Sequence, residues 1–229
     1  MQVYYQPLVG EGVNHLDPDE SRHATKVMRY KVGDPLTISD GKGHLYDSTI
    51  SEITKTDCHF EISQVRSIPR RDFSIRICIA PTKNMDRMEW FVEKAVEIGI
   101  ESIGFMNSAN AERKIINTER LRKKAVSALK QSGQAWLPSI EEIQPFEKHL
   151  TFEGQQFIAF VDHTNRAFLK DARIKSNYVV LIGPEGDFTN DEVERAVKAG
   201  FKMVSLGPHT LRTETAALVA CHTLNLINQ

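Results

Sequence analysis

The chain is poor in cysteine, and the three it has, Cys58, Cys78 and Cys221, stand far apart with no C-x-x-C pair. That excludes a disulfide framework and a structural zinc, and leaves reduced, buried thiols as the expectation, with no metal. An excess of charge is missing too. The 29 Lys and Arg are balanced by 30 Asp and Glu, so no global field draws the protein onto nucleic acid, and any such contact rests on local patches. No window approaches the ~18 apolar residues of a membrane span. The N-terminal residues lack a charged region followed by an apolar run, and the expectation is a cytoplasmic protein without a membrane partner. Neither phosphate-binding signature, G-x-G-x-x-G or Gly-Lys-Ser/Thr at the end of a P-loop, occurs, and there is no internal repeat or low-complexity tract.

What is present falls into two parts. From Asp17 to Tyr30 the residues read as a capped helix, with Asp17 as N-cap, Pro18 at the first helical position, Glu20 at the third, and Ala24, Val27 and Met28 on one face. Arg22, Lys26 and Arg29 share another face. Short strand-like pieces follow at 35–39, 44–50 and 59–64, split by turn chemistry at Asp40-Gly41-Lys42-Gly43 and Lys55-Thr56-Asp57. This pattern predicts a small barrel with one helix. The polar, basic, proline-broken stretch 66–72 reads as a domain boundary. Beyond it the pattern alternates: strand 75–80, helix 84–98, strand 102–105, a helix through Leu121, Ala125 and Leu129, then apolar strands at 157–161, 178–182 and 203–206. Such near-continuous apolar strands predict a parallel sheet covered on both faces, an α/β fold. Thr189 and Glu192 form a capping box, Phe188 and Val193 a hydrophobic staple, and Gly200 closes that helix. A last helix begins near Thr213.

The most informative stretches are Leu181-Ile182-Gly183-Pro184-Glu185-Gly186-Asp187-Phe188 and Leu206-Gly207-Pro208-His209-Thr210-Leu211-Arg212-Thr213-Glu214-Thr215-Ala216. Each is a short apolar strand running into a Gly/Pro turn and a helix start. Two such turns, expected at the ends of adjacent strands, offer free backbone N–H and C=O groups around one crevice, where a flat heterocycle with a polar tail can bind. Glu185 sits where a phosphate cradle would want no acid. A polyphosphate is therefore disfavoured, and a ligand with adenine-like edges and a cationic part, such as S-adenosylmethionine, is favoured.

These two strings, with Phe188 and Glu192 after the first, resemble the C-terminal motifs of the RsmE family of SPOUT-class enzymes. Further resemblances run in the family's order along nearly the whole chain: His23, Val27-Met28-Arg29 and Gly33-Asp34; then Lys83, Asp86-Arg87-Met88-Glu89 and Lys94-Ala95-Val96-Glu97-Ile98-Gly99; then Gln131-Ser132-Gly133 before Pro138. The resemblance implies a PUA-like RNA-binding β-barrel over 1–68 and, over 73–229, a parallel-sheet α/β methyltransferase domain tied into a trefoil knot. It also implies a homodimer that uses S-adenosylmethionine to methylate N3 of a uridine in small-subunit (16S) ribosomal RNA. Two departures from the family pattern stand out. Gln134 replaces an arginine after Gln131-Ser132-Gly133, and Asn107-Ser108-Ala109-Asn110-Ala111-Glu112-Arg113 replaces the usual Ser-Glu-Arg.

The expected cofactor contacts are Ile182, Gly183, Pro184, Glu185 and Gly186 in the first turn, and Leu206, Gly207, Leu211, Arg212, Thr213 and Ala216 in the second. His163, at a strand end, borders them. Methyl transfer needs the acceptor nitrogen held against the methyl carbon. A uridine N3 becomes nucleophilic only as negative charge develops on the imide, which a guanidinium near O2 or O4 stabilises. Arg212 is the candidate for that role, and Glu214 or Glu185 for taking the proton. Each has a plainer alternative: φ > 0 turn positions for Gly183 and Gly186, a helix N-cap for Thr213, a first-turn acid for Glu214, a surface ion pair for Arg212, a solvated loop histidine for His163. For RNA, the candidates are Arg22, Lys26 and Arg29, and within the basic run 113–130 Arg113, Lys123 and Lys124, because only Glu112 and Glu119 lie nearby along the chain. The competing functions are methylation of another rRNA or tRNA base, a non-catalytic RNA-binding assembly factor, and a nucleotide-binding regulator.

Overall fold

The computed structural model describes residues 3–160 and 167–229. These form two compact units, one of Met1–Arg70 with Val126–Leu137, the other of Arg71–Ala125 with Pro138–Gln229.

In the first unit β1 (Val3–Tyr5) precedes α1 (Pro18–Arg22), and β2 (Pro35–Ser39), β3 (His44–Ile53) and β4 (Cys58–Ser67) follow. The sheet order is β1-β2-β3-β4, with β1 parallel to β2 and the other pairs antiparallel. Tyr4, Leu16, Ile38, Ile50 and Phe60 are among its fully buried side chains. Asp17 caps α1, its carboxylate accepting from the Glu20 N–H at 2.9 Å. The helix is shorter than its sequence pattern: it continues as a single π-helical turn, His23–Val27, closed by Met28 N–H to His23 C=O, and Arg29 then takes a left-handed φ of 58°. Arg22, Lys26 and Arg29 are all exposed, but Arg29 leaves the helical face that the spacing predicted.

The β2–β3 turn is organised by Asp40, which is almost fully buried. Its carboxylate accepts from the N–H groups of Lys42 (2.7 Å) and His44 (3.0 Å) and pairs with the His44 ring at 2.8 Å. Burial pushes this carboxyl up, but the two backbone donors and the imidazole together outweigh burial and hold it below its ordinary value. A carboxyl lowered in the folded state stabilises above its unfolded value of about 4 and loses that contribution as pH falls through the lower folded value. Asp40→Asn is therefore expected to flatten the fall of Tm below about pH 4, measured by thermal unfolding across the acid range.

The second unit holds β5 (Ser74–Ile79), α2 (Met85–Ile98), β6 (Ser102–Asn107), α3 (Thr118–Ser132), β7 (Ser139–Pro145), β8 (Gln155–Ala159), β9 (Asn177–Ile182), α4 (Asn190–Lys198), β10 (Lys202–Val204) and α5 (Thr213–Ile227). The C-terminal part of α3 groups with the first unit. Six strands form one sheet in the order β10-β8-β9-β5-β6-β7, and every neighbouring pair is parallel. This is the parallel α/β fold that the apolar strands predicted. Ile75, Ile77, Ile79, Val180 and Leu181 are buried completely, as central strands covered on both faces require. One expectation fails: β9 and β10 are not neighbours, because β8 lies between them. The chain turns back from the β7 edge to add β8 and β9 on the other side of β5, and no local sequence signal fixes that order.

Candidate functional site

All six strands run the same way, so the turns after β8, β9 and β10 emerge at one edge of the sheet, where open α/β sheets bind their ligands. A cavity of about 510 Å³ lies there, within the ~300–1,000 Å³ of small-molecule sites. Its walls are the ends of β8 (Ala159, Phe160), β9 (Ile182) and β10 (Val204), the turn after β9, the segment 205–213, and Ala216 and Arg87. Of the expected contacts, Ile182, Gly183, Pro184, Glu185, Leu206, Gly207, Leu211, Arg212, Thr213 and Ala216 line it together. Gly186 does not: its carbonyl turns to the Asn110 side-chain amide, which donates to it at 3.2 Å. His163 lies outside the described residues.

The plainer alternative for Gly183 and Gly186, a φ > 0 turn position, does not hold. Positive φ falls not on Gly183 or Gly186 but on Asp187 (57°) and Gly207 (151°). Gly183 is needed for space, since a Cβ there would come within 3.1 Å of the Phe188 ring, itself buried in the core. Around Gly207 a Cβ would meet no atom within 4 Å, so a side chain would project into open space at the cavity wall. The first turn is braced from below by the Thr189–Glu192 capping box, and the buried Glu192 also accepts from the Ala109 N–H at 2.8 Å. The segment 107–113 therefore packs against the loop through Ala109 and Asn110.

At the second turn, Thr213 is not the N-cap of α5. Arg212 holds that position in extended conformation, no side chain caps the helix, and the first N–H groups of a helix have no intrahelical partner. Arg212 is exposed and makes no ion pair among the described residues, which removes the surface ion pair as its explanation. Glu214 is buried at 6% exposure; its Oε1 lies 3.8 Å from Arg87 Nε, and its Oε2 has no hydrogen-bond partner. Arg87 also donates from Nη1 to Glu185 Oε1 at 2.6 Å. Glu185 is thus neutralised by a protein cation rather than left for a ligand's positive group, and Arg87 clasps both turns. That residue was not among the expected contacts, because its partners lie 98 and 127 positions further along the chain. Glu214 faces a second, smaller cavity that shares Arg87 and Arg212 with the first.

The basic run of α3 reads differently in three dimensions. Lys123 pairs with Glu119 at 3.3 Å, Lys124 with Glu93 at 3.1 Å, Arg122 with Glu142 at 3.3 Å, and Arg120 with Glu89. Arg113 is half-buried and donates to the Lys83 carbonyl at 2.6 Å. Three of these four acids come from α2 and β7, so a count along the chain overstated the imbalance. Arg22, Lys26 and Arg29, by contrast, make no ion pair among the described residues.

The cavity fits an adenosyl donor in three respects. Ile182, Leu206, Leu211 and Ala216 supply apolar surface for a flat ring, the two turns bring main chain to its wall, and the space beside Gly207 is left open by the missing Cβ. No group of three or more His, Cys, Asp or Glu able to hold a metal occurs among the described residues.

Comparison with known proteins agrees with this layout. The model of an RNA methyltransferase domain matches residues 69–225, and that of an RNA methyltransferase PUA domain matches 16–63. A probable rRNA-methyltransferase from Porphyromonas gingivalis is 39% identical and superimposes with a TM-score of 0.93, covering 99% of each chain. The ribosomal RNA small subunit methyltransferase E from Neisseria gonorrhoeae, solved bound to S-adenosyl methionine, is 27% identical with a TM-score of 0.87, covering 100% of this chain and 98% of that one. The curated enzyme of the same name from Rickettsia conorii is 27% identical over 218 residues, 93% of this chain and 89% of its own. A domain match over more than half the chain, joined to a solved relative alike from end to end, shows that the chain belongs to the RNA methyltransferase family of small-subunit methyltransferase E type.

Proposed function

We propose that the protein methylates N3 of a uridine in small-subunit (16S) ribosomal RNA, using S-adenosylmethionine. The observation that carries this reading is one cavity walled by both glycine turns and by Arg212, which makes no ion pair among the described residues, with an adjoining cavity lined by Glu214, whose Oε2 has no hydrogen-bond partner among them. Ile182, Gly183, Leu206, Gly207, Leu211 and Ala216 would hold the donor, which when bound supplies an electrophilic methyl on a sulfonium. The remaining chemistry belongs to the chain. Glu214 Oε2, lacking a partner, takes the N3 proton, and Arg212 stabilises the charge that develops on the imide oxygens. Arg87 keeps Glu214 oriented and draws Glu185 out of competition for the proton. Mass mapping of small-subunit RNA nucleosides from cells with and without the protein tests the reading: 3-methyluridine disappears with the gene. Persistence of that nucleoside together with loss of another modified base would point to a different target.

The finer assignments rest on the same reading. Residues 1–68 act as the RNA-binding module and 73–229 as the catalytic domain. After the edge strand β10 the chain returns to the middle of the sheet, α5 packing on α2, β5 and β9, which supports a trefoil knot. A homodimer working in the cytoplasm is part of the same reading. RNA phosphates are met by Arg22, Lys26 and Arg29, with Arg113, Lys123 and Lys124 contributing less because each has a protein partner. Charge reversal of Arg22, Lys26 and Arg29 is expected to weaken RNA binding and lower the slope of log K against log salt by about 2–3, with S-adenosylmethionine affinity unchanged. Reversal of Lys123 and Lys124 has the smaller effect, both read by filter binding across a salt series.

A further inference from the structure

Methyl transfer needs a second seat beside the donor's, since acceptor and donor must meet at one point. This inference rests on the proposed reaction. The smaller cavity, about 370 Å³, is lined by Asp86, Arg87, Trp90, Arg212, Glu214 and Thr215, and it shares Arg87 and Arg212 with the larger one. Trp90 lies on α2 and leaves 42% of its surface exposed, although packing would ordinarily hide so large a ring. Glu214, nine-tenths buried, lines this same cavity, and one of its oxygens has no hydrogen-bond partner among the described residues. We infer that this cavity receives the acceptor base, flipped out of the RNA, with Trp90 as its stacking platform and the polar wall as its reader.

The polar groups fit one pyrimidine better than the other. The uracil imide presents an acceptor, a donor and an acceptor: O4, N3–H and O2. Two guanidiniums and a carboxylate present the complement, because a guanidinium only donates and an ionised carboxylate only accepts. Cytosine reverses two of these three groups, with an unprotonated N3 and an amino group at C4. It would set a donor against a guanidinium and leave Glu214 unpaired, the kind of mismatch by which sites built on hydrogen bonds reject analogues most strongly. When the N3–H bond breaks, its proton goes to Glu214 Oε2, and the electron pair left behind spreads onto O2 and O4 beside the arginines. Stacking on Trp90 is blind to sequence, since every base has a π-face. Selectivity therefore comes from the wall, and affinity from the ring.

The chain has two tryptophans, Trp90 and Trp136, so in a Trp136→Phe background fluorescence reports on Trp90 alone. With S-adenosylhomocysteine present, a short oligouridylate is expected to quench that emission and an oligocytidylate of equal length to quench it much less. In steady-state assays Trp90→Ala should raise the KM for RNA about tenfold, the order of effect of losing one stacked base, with donor affinity by calorimetry unchanged. Trp90→Phe, which keeps an aromatic face, should restore most of the loss. Emission indifferent to oligouridylate, or a Trp90→Ala enzyme with unaltered KM and kcat, overturns the inference. Should the wild-type protein form no 3-methyluridine at all, the proposed reaction fails instead.

Discussion

Arg212→Ala is expected to lower kcat about 10²–10³-fold, the range found when a donor to a developing oxyanion is removed. Three observations set this expectation: Arg212 lines both cavities, it has no acidic partner among the described residues, and its backbone is fixed by its place at the start of α5. A guanidinium held there and not spent on a protein carboxylate is available to the charge that appears only as N3 loses its proton. Binding of the neutral ground state gains much less, so the loss should fall on kcat rather than on the KM for RNA. Arg212→Lys keeps the charge but not the planar fork and should recover only part of the rate. Single-turnover transfer from labelled S-adenosylmethionine, at saturating donor, gives the comparison. A kcat within threefold of wild type would leave Arg212 as a loop residue only.

Gly207→Val is expected to weaken donor binding by about two orders of magnitude, roughly 2.7 kcal/mol. The main chain at Gly207 has φ of 151°, and a Cβ there would meet no protein atom within 4 Å. The branched side chain would therefore occupy cavity space rather than pack against the protein. Two effects should separate in measurement. Backbone strain at a position suited to glycine costs about 1–3 kcal/mol of stability, visible in denaturant unfolding without ligand. Obstruction of the cavity appears as a higher Kd by calorimetry at a temperature where the variant is folded. Equal donor affinity in a folded Gly207→Val protein would mean that the second turn does not face the donor.

Much of the second unit was legible because its signals are local. The capping box of Thr189 with Glu192 and the apolar runs of β5, β8 and β9 each announce themselves within a few residues. Two strands were not legible. β1 is three residues long, too short for a period to show. β7, Ser-Ile-Glu-Glu-Ile-Gln-Pro, lies at a sheet edge, where one side needs no apolar cover. Strand order was also out of reach, since placing β8 between β9 and β10 depends on a crossover that no neighbouring residues encode. For the site, both turns could be found from their glycines and prolines. Arg87 could not, because its importance lies in contacts with two distant carboxylates. The same limit misjudged the charge of α3, because Arg120, Arg122 and Lys124 pair with acids on other elements.

The cavity draws its strand walls from β8, β9 and β10 and none from β6 or β7. Half of the sheet therefore serves as a foundation, and an exposed position of its outer strand such as Gln144 can carry an engineered handle. A fluorescent reporter or surface tether placed along Ser139–Pro145 would leave the pocket's walls untouched, giving a place from which to watch or immobilise a working enzyme.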